Sequence, residues 1–182
     1  MQDKINKYKT LKQEILASNP YWEYQVDDYV YPDGSVGKYY FVKSRGASMV
    51  IATDADGKFL MTKQFRYLNR KISIEFPGGG RKPGATPLET ASEELQEETK
   101  FAADEIIQIG EYNPFNGVTD EITSVYFARG LNAVECGHDD SEEIELIKLT
   151  KTEINQKIRA GEIWDGMSLA AWAIFSVSEF AE

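Results

Sequence analysis

The sequence predicts an α/β fold, an α+β mixed sheet covered on both sides by helices as an α/β/α sandwich, with an N-terminal antiparallel β-hairpin extension. Three observations predict it. Strand-like and helix-like runs follow one another in the order strands, strands, helix, strands, helices, which a sheet with helices on both faces accommodates. In the middle of the chain, Glu75 to Phe101 (EFPGGGRKPGATPLETASEELQEETKF) begins as a Gly/Pro turn and becomes helical from about Pro87. No fixed-period repeat, low-complexity stretch or linker divides the 182 residues, enough for one sizeable core with a small extension. We place the boundary so that residues 1–45 form an N-terminal helix and hairpin and residues 46–182 the main domain.

Ile5, Tyr8, Leu11, Ile15 and Leu16 keep helical spacing until Asn19-Pro20, predicting a short first helix. Tyr21 to Tyr31 and Lys38 to Val42, rich in aromatic and β-branched residues, flank Pro32-Asp33-Gly34-Ser35 and read as a hairpin. Its rings exceed what one face of a hairpin can bury. Trp22 is the best single candidate for stacking on a nucleotide base, core or dimer-interface packing being the other reading of each ring. Ser48 to Thr53 and Lys58 to Arg66 form a second strand pair around Asp54-Ala55-Asp56-Gly57.

On the central helix, Leu88, Ala91, Leu95 and Ala102 recur at three- and four-residue spacing and predict the buried stripe. Beyond it, Glu105 to Tyr112 and Ile122 to Arg129 read as strands. A polar acidic loop, Glu135 to Glu143, precedes a strand from Ile144 to Leu149. Thr150-x-x-Glu153 is a capping box opening a helix that ends by Gly161, and a last helix starts near Ser168 with Leu169, Trp172, Ala173 and Phe175 on its apolar side.

The chemistry concentrates on the central helix. Glu94, Glu97 and Glu98 stand at i, i+3 and i+4, so their side chains project within about a quarter turn of one another and repel. Such a cluster is either a solvated face or a set of hard oxygen ligands for Mg2+ or Mn2+, and the glycine turn before it lets backbone carbonyls approach as further ligands. A formal net charge of −10 argues against nucleic acid or an anionic membrane surface as partner, and an acidic protein acting on phosphates must mask its charge with metal. Cys136 alone forms no internal disulfide and fits a reducing cytoplasm. With His138 the single histidine, no His-based zinc cluster or Ser-His-Asp triad can be assembled without it, and no Ser stands in an obvious nucleophile elbow to make such a triad. The N-terminus is charged rather than an apolar signal, and Met167 to Phe180 is too short to span a membrane.

The central stretch resembles the Nudix box, G-x5-E-x7-R-E-U-x-E-E-x-G-U with U aliphatic: Gly79 takes the first glycine, Glu94 the acid after the Arg, Leu95 the aliphatic position, and Glu97 and Glu98 the acidic pair. Three positions depart from it. Ala85 stands for the first Glu, Glu93 for the Arg and Lys100 for the second Gly. In the family the Arg helps orient and neutralise the carboxylates, so here Arg81, Lys82 or Arg66 must supply that charge or metal binding is altered. Lys100 must accept strain or end the helix differently.

The resemblance runs from about Asn19 to Leu169 and is to the ADP-ribose and nucleoside diphosphate sugar pyrophosphatase branch. It implies an α/β/α Nudix sandwich whose N-terminal hairpin is exchanged within a homodimer and helps hold the base. Gln64-Phe65-Arg66-Tyr67 and Glu75-Phe76-Pro77 resemble the branch's motifs before the box, with Arg66 on a phosphate or paired with Glu75. Asn113 to Glu121 resembles the segment ending in [ST]-D-E and places Glu121 by the metal or substrate. Glu142 or Glu143 matches the loop general base. The implied activity is metal-dependent hydrolysis of a nucleoside diphosphate-linked compound in the cytoplasm, with Gly79, Glu94, Glu97 and Glu98 on Mg2+ or Mn2+. Ala85, Glu93 and Lys100 keep open a second expectation, a catalytically impaired Nudix-fold nucleotide sensor.

Overall fold

A computed structural model describes residues 8–135 and 144–181. The chain divides into two compact units: residues up to Arg45 together with Asn113–Glu121, and Gly46–Tyr112 together with the chain from Ile122 onward. The boundary expected after residue 45 left Asn113–Glu121 in the larger part, whereas by compactness that segment goes with the first unit.

In the first unit, strands β1 (Lys9–Ser18), β2 (Trp22–Val30) and β3 (Val36–Ser44) form an antiparallel sheet in that order. Of the helix expected from Ile5 to Leu16, Ile5 lies outside the described residues, and the chain from Lys9 onward is a strand instead. An isolated helix of this length is marginal in water, and the ladder to β2 satisfies the backbone instead. The misleading period has a visible source. Register shifts fall between Thr10 and Lys12 and between Ile15 and Ala17, so Leu11 and Leu16 are extra residues in bulges that break the two-residue alternation. The β2–β3 turn forms as its residues dictate, with Gly34 at φ 89° and the Asp33 carboxylate accepting from the Ser35 N–H at 2.9 Å and its hydroxyl at 2.7 Å. Asn113–Glu121 docks on β3, the Val42 N–H donating to Val118 O at 2.8 Å and the Tyr39 hydroxyl to Gly117 O at 3.0 Å.

The second unit is built on β4 (Ala47–Thr53), β5 (Phe59–Arg66), β6 (Lys71–Glu75), β7 (Gly78–Gly80), β8 (Phe101–Tyr112), β9 (Thr123–Ala133) and β10 (Glu145–Leu149), with helices α1 (Pro87–Thr99), α2 (Lys151–Arg159) and α3 (Gly166–Ser176). Its sheet runs β10-β5-β4-β9-β8, with β6 added to β5 and β7 to β4. Among the described strands of this sheet, only the β4–β9 pair is parallel. The unbroken apolar run Met49-Val50-Ile51-Ala52 marks β4 as buried on both sides. Met49 and Ile51 face α3 through Trp172 and Phe175. Val50 and Ala52 face α1 through Ala91 and Leu95. This is the expected sandwich of helices on both faces, and no described helix is long and apolar enough to cross a membrane.

Helix α1 starts where its residues direct it. Thr86 and Glu89 complete a capping box, with Pro87 in the first turn where its missing N–H costs nothing. Its buried face is Thr90, Ala91, Leu95 and Thr99 rather than the expected stripe, since Leu88 lies exposed in the first turn and Ala102 belongs to β8. The helix ends at Lys100 in the left-handed conformation, φ 64° and ψ 27°, which is the glycine position of the box pattern. A side chain there is strained, although the Lys100 ammonium also donates to Glu97 O at 2.9 Å. Lys100→Gly should therefore stabilise the protein by about 1 kcal/mol and raise Tm by about 3 °C. An unchanged or lower Tm in a calorimetric scan would mean that the ammonium's bond outweighs the strain.

Candidate active site

The expected acidic residues meet the glycine strand. Strand β7 pairs antiparallel with β4, Gly79 opposite Ser48, and the Ser48 hydroxyl donates to Pro87 O at 2.7 Å, tying the sheet to the first turn of α1. That junction brings the helix's acidic side over β7. A Cβ added to Gly79 would stand 2.4 Å from Glu94 Oε1, so a side chain at 79 would push the Glu94 carboxylate out of its present position over β7. One residue earlier, the Gly78 N–H donates to Glu98 Oε2 at 3.3 Å.

Glu97 is held from the loop after β7. Lys82 Nζ stands 3.0 Å from Glu93 Oε2 and 3.3 Å from Glu97 Oε1, and these two bonds, Glu93 first, raise the Lys82 ammonium above its usual range. Of the three cations considered for the charge missing at Glu93, Lys82 bonds Glu93 itself and Glu97. Arg81 runs beside Gly46, to whose carbonyl its N–H donates at 2.9 Å. Arg66 is committed elsewhere: its Nε donates to Glu75 Oε1 at 2.7 Å and its Nη2 to Oε2, a two-pronged pair. Glu75 is 5% exposed. The Glu75 bond raises the Arg66 guanidinium above its usual range, burial opposes it, and the charges of Asp165 and Glu98 add smaller pulls in the same direction. Arg66 therefore sits within the electrostatic reach of the Glu98 end of α1.

Gly79, Glu94, Glu97, Glu98, Arg66 and Glu75 all belong to the second unit. Trp22 and Glu121 belong to the first. Trp22 opens β2, is 43% exposed, and donates its N–H to Asn19 Oδ1 at 2.9 Å. Glu121 closes its segment, its N–H donating to Thr119 Oγ1 at 3.1 Å. Glu142 and Glu143 lie outside the described residues. Sequence reading missed Asp165, which caps α3 by accepting from the Ser168 N–H at 2.7 Å and adds its charge near Arg66. The Asp-x-x-Ser spacing was the available signal.

Among the described residues, no three His, Cys, Asp or Glu side chains converge closely enough to cage a metal ion as they stand. As they stand, Glu94 lies against Gly79, Glu98 accepts from the Gly78 amide and Glu97 pairs with Lys82. Like charges on adjacent positions of one helix are stabler apart, each with its own partner. The donor chemistry nevertheless fits a hard divalent cation, with carboxylate oxygens on one helix face above a strand of three glycines.

Comparison with known proteins agrees with this architecture. The family model described as NUDIX domain matches residues 43–165. A methanol dehydrogenase activator of Bacillus methanolicus is 33% identical over 178 residues, 97% of this chain and 96% of that protein. An ADP-ribose pyrophosphatase of Bacillus subtilis (strain 168) is 30% identical over 173 residues, 94% of each. Among solved structures, an ADP compounds hydrolase superposes with a TM-score of 0.78 at 16% identity, covering 92% of this chain and 91% of that one, a likeness of fold.

Proposed function

Because this chain belongs to the NUDIX domain family and is a Nudix hydrolase, we propose that it hydrolyses the pyrophosphate bond of ADP-ribose or a nucleoside diphosphate sugar, dependent on Mg2+ or Mn2+, giving a nucleoside monophosphate and a sugar phosphate. The observation that carries this reading is the fit of Glu94 into the space over Gly79, with Glu98 on the neighbouring amide. A glycine strand that receives carboxylates from the next helix is the arrangement needed to gather hard ligands beside a diphosphate. Similarity to an ADP-ribose pyrophosphatase along nearly the whole chain supports the substrate class.

In this reading Glu94, Glu97, Glu98 and the backbone at Gly79 hold the cation. When bound, it neutralises phosphate charge and lowers the pKa of a water. Gly79 contributes the absence of a side chain, and the Gly78 N–H fixes the rotamer of Glu98. The planar fork of Arg66, held by buried Glu75, suits two oxygens of a diphosphate. Trp22 stacks on the base, Glu121 contributes an acid at the metal or substrate, and the general base comes from Glu142 or Glu143. Other exposed rings of the first unit, among them Tyr21 and Tyr40, are covered by a second copy in a homodimer. A monomer by light scattering at micromolar concentration would contradict the dimer.

The test is release of monophosphate from ADP-ribose and from ADP-, GDP- and UDP-sugars. Turnover with Mg2+ or Mn2+ on at least one compound, lost with chelator, is expected. A second reading is favoured by the similarity to a methanol dehydrogenase activator and by Glu93 at the Arg position: a regulatory nucleotide-binding protein with impaired catalysis. Nucleotide binding without turnover across the whole panel would select it.

A further inference from the structure

Residues 93–98 of α1 carry four carboxylates, and Glu93 and Glu97 stand at i and i+4, where like charges destabilise a helix. In this structure the Lys82 ammonium lies between those two, 3.0 Å from one and 3.3 Å from the other. It enters from the loop that links β7 to α1, not from the helix itself. All three side chains are about half exposed, at 59% for Lys82, 48% for Glu93 and 51% for Glu97. That exposure decides the character of the contact. Ion pairs this wet are weak and exchange readily, unlike the pair that Arg66 makes with buried Glu75.

We propose that Lys82 is a resident counter-cation of the box helix, standing in for the divalent ion on Glu97 and giving Glu97 up when the ion binds. Glu93 is what makes the exchange orderly. Because Lys82 holds both acids at once, it retains a partner when Glu97 turns away, so loading does not leave an ammonium unpaired beside the incoming cation. The inference rests on the reading that Glu97 helps hold a dication, and it gives the Glu found at the box's Arg position a role of its own: it anchors the cation that the box otherwise carries on the helix.

The test compares the parent, Lys82→Met and Lys82→Arg by thermal unfolding in chelator and in saturating Mn2+, and by calorimetric titration with Mn2+. In chelator, Lys82→Met should melt about 2 °C lower, the size expected for exposed pairs. It should bind Mn2+ roughly three- to tenfold more tightly, since a competing positive charge has gone, and the melting deficit should close when the ion is present. Lys82→Arg should match the parent in every measurement. A deficit that persists equally under Mn2+, or an affinity that is unchanged or weaker in Lys82→Met, overturns the proposal and leaves Lys82 a purely structural residue. A parent that takes up no Mn2+ overturns both this proposal and the reading beneath it, whereas a parent that binds while Lys82→Met is indistinguishable from it overturns only the role of the lysine.

Discussion

Glu98→Gln should lower turnover on the best substrate of the panel by on the order of a thousandfold while leaving Tm within about 1 °C of the parent. The substitution is chosen for what it keeps. A glutamine has the length of glutamate, and its amide oxygen can still accept from the Gly78 N–H that Glu98 meets at 3.3 Å. Shape, helix and that bond are preserved, and the negative charge with its hard anionic oxygen is lost. An amide is a poor ligand for Mg2+ or Mn2+ where a carboxylate is a good one, and loss of several kcal/mol of transition-state charge stabilisation accounts for a factor of that order. Steady-state kinetics at saturating Mn2+ decide the matter. Turnover within tenfold of the parent would remove Glu98 from the metal set and with it the main support for the proposed chemistry.

The elements that could be read along the chain are those whose local signals agree with their tertiary setting. Thr86 with Glu89, and Thr150 with Glu153, specify their helix starts by short-range bonds that form as expected. Strand β4 is a continuous apolar run because it is covered on both sides, and the strand pair it makes with β5 follows from the turn at Asp54 to Gly57. Elements fixed by pairing were misread or unseen. Strand β1 looked helical because bulges at Leu11 and Leu16 spaced its apolar residues irregularly. Strand β7 is three glycines, and nothing local to them announces a strand; they pair with β4 because Gly78 tolerates Ser48 O, only 2.5 Å from where its Cβ would be.

The candidate site shows the same division. Spacing on one helix was enough to bring Glu94, Glu97 and Glu98 to a common side, because that is a property of helix geometry. Which cation meets which acid was not legible, since Lys82, Arg81 and Arg66 all lie upstream of the helix and only the path of the chain separates them. The loop delivers Lys82 to Glu93 and Glu97, and the β5–β6 hairpin delivers Arg66 to Glu75, which stands opposite Thr62 in the ladder.

That last pairing separates structure from chemistry at Arg66. Arg66→Met should destabilise the protein by about 2–3 kcal/mol in urea unfolding, because it strands the carboxylate of the Glu75 side chain, buried to all but 7% of its surface, without the two donors that satisfy it. The value lies at or below the lower end of what breaking buried pairs costs, since the Arg66 side chain is itself 45% exposed and water can partly replace it. If the loss comes from the stranded charge, Arg66→Met with Glu75→Gln should recover most of it: removing both charges removes the uncompensated burial. The double variant then isolates the proposed phosphate contact. With stability restored, KM for the best substrate should still stand about ten- to a hundredfold above the parent, the worth of a charge-assisted bond to a diphosphate. A double variant that is both stable and normal in KM would assign Arg66 to holding β5 against β6 and nothing more, whereas a double variant as unstable as the single one would mean that the methylene stem of Arg66, not its charge, is what the fold requires.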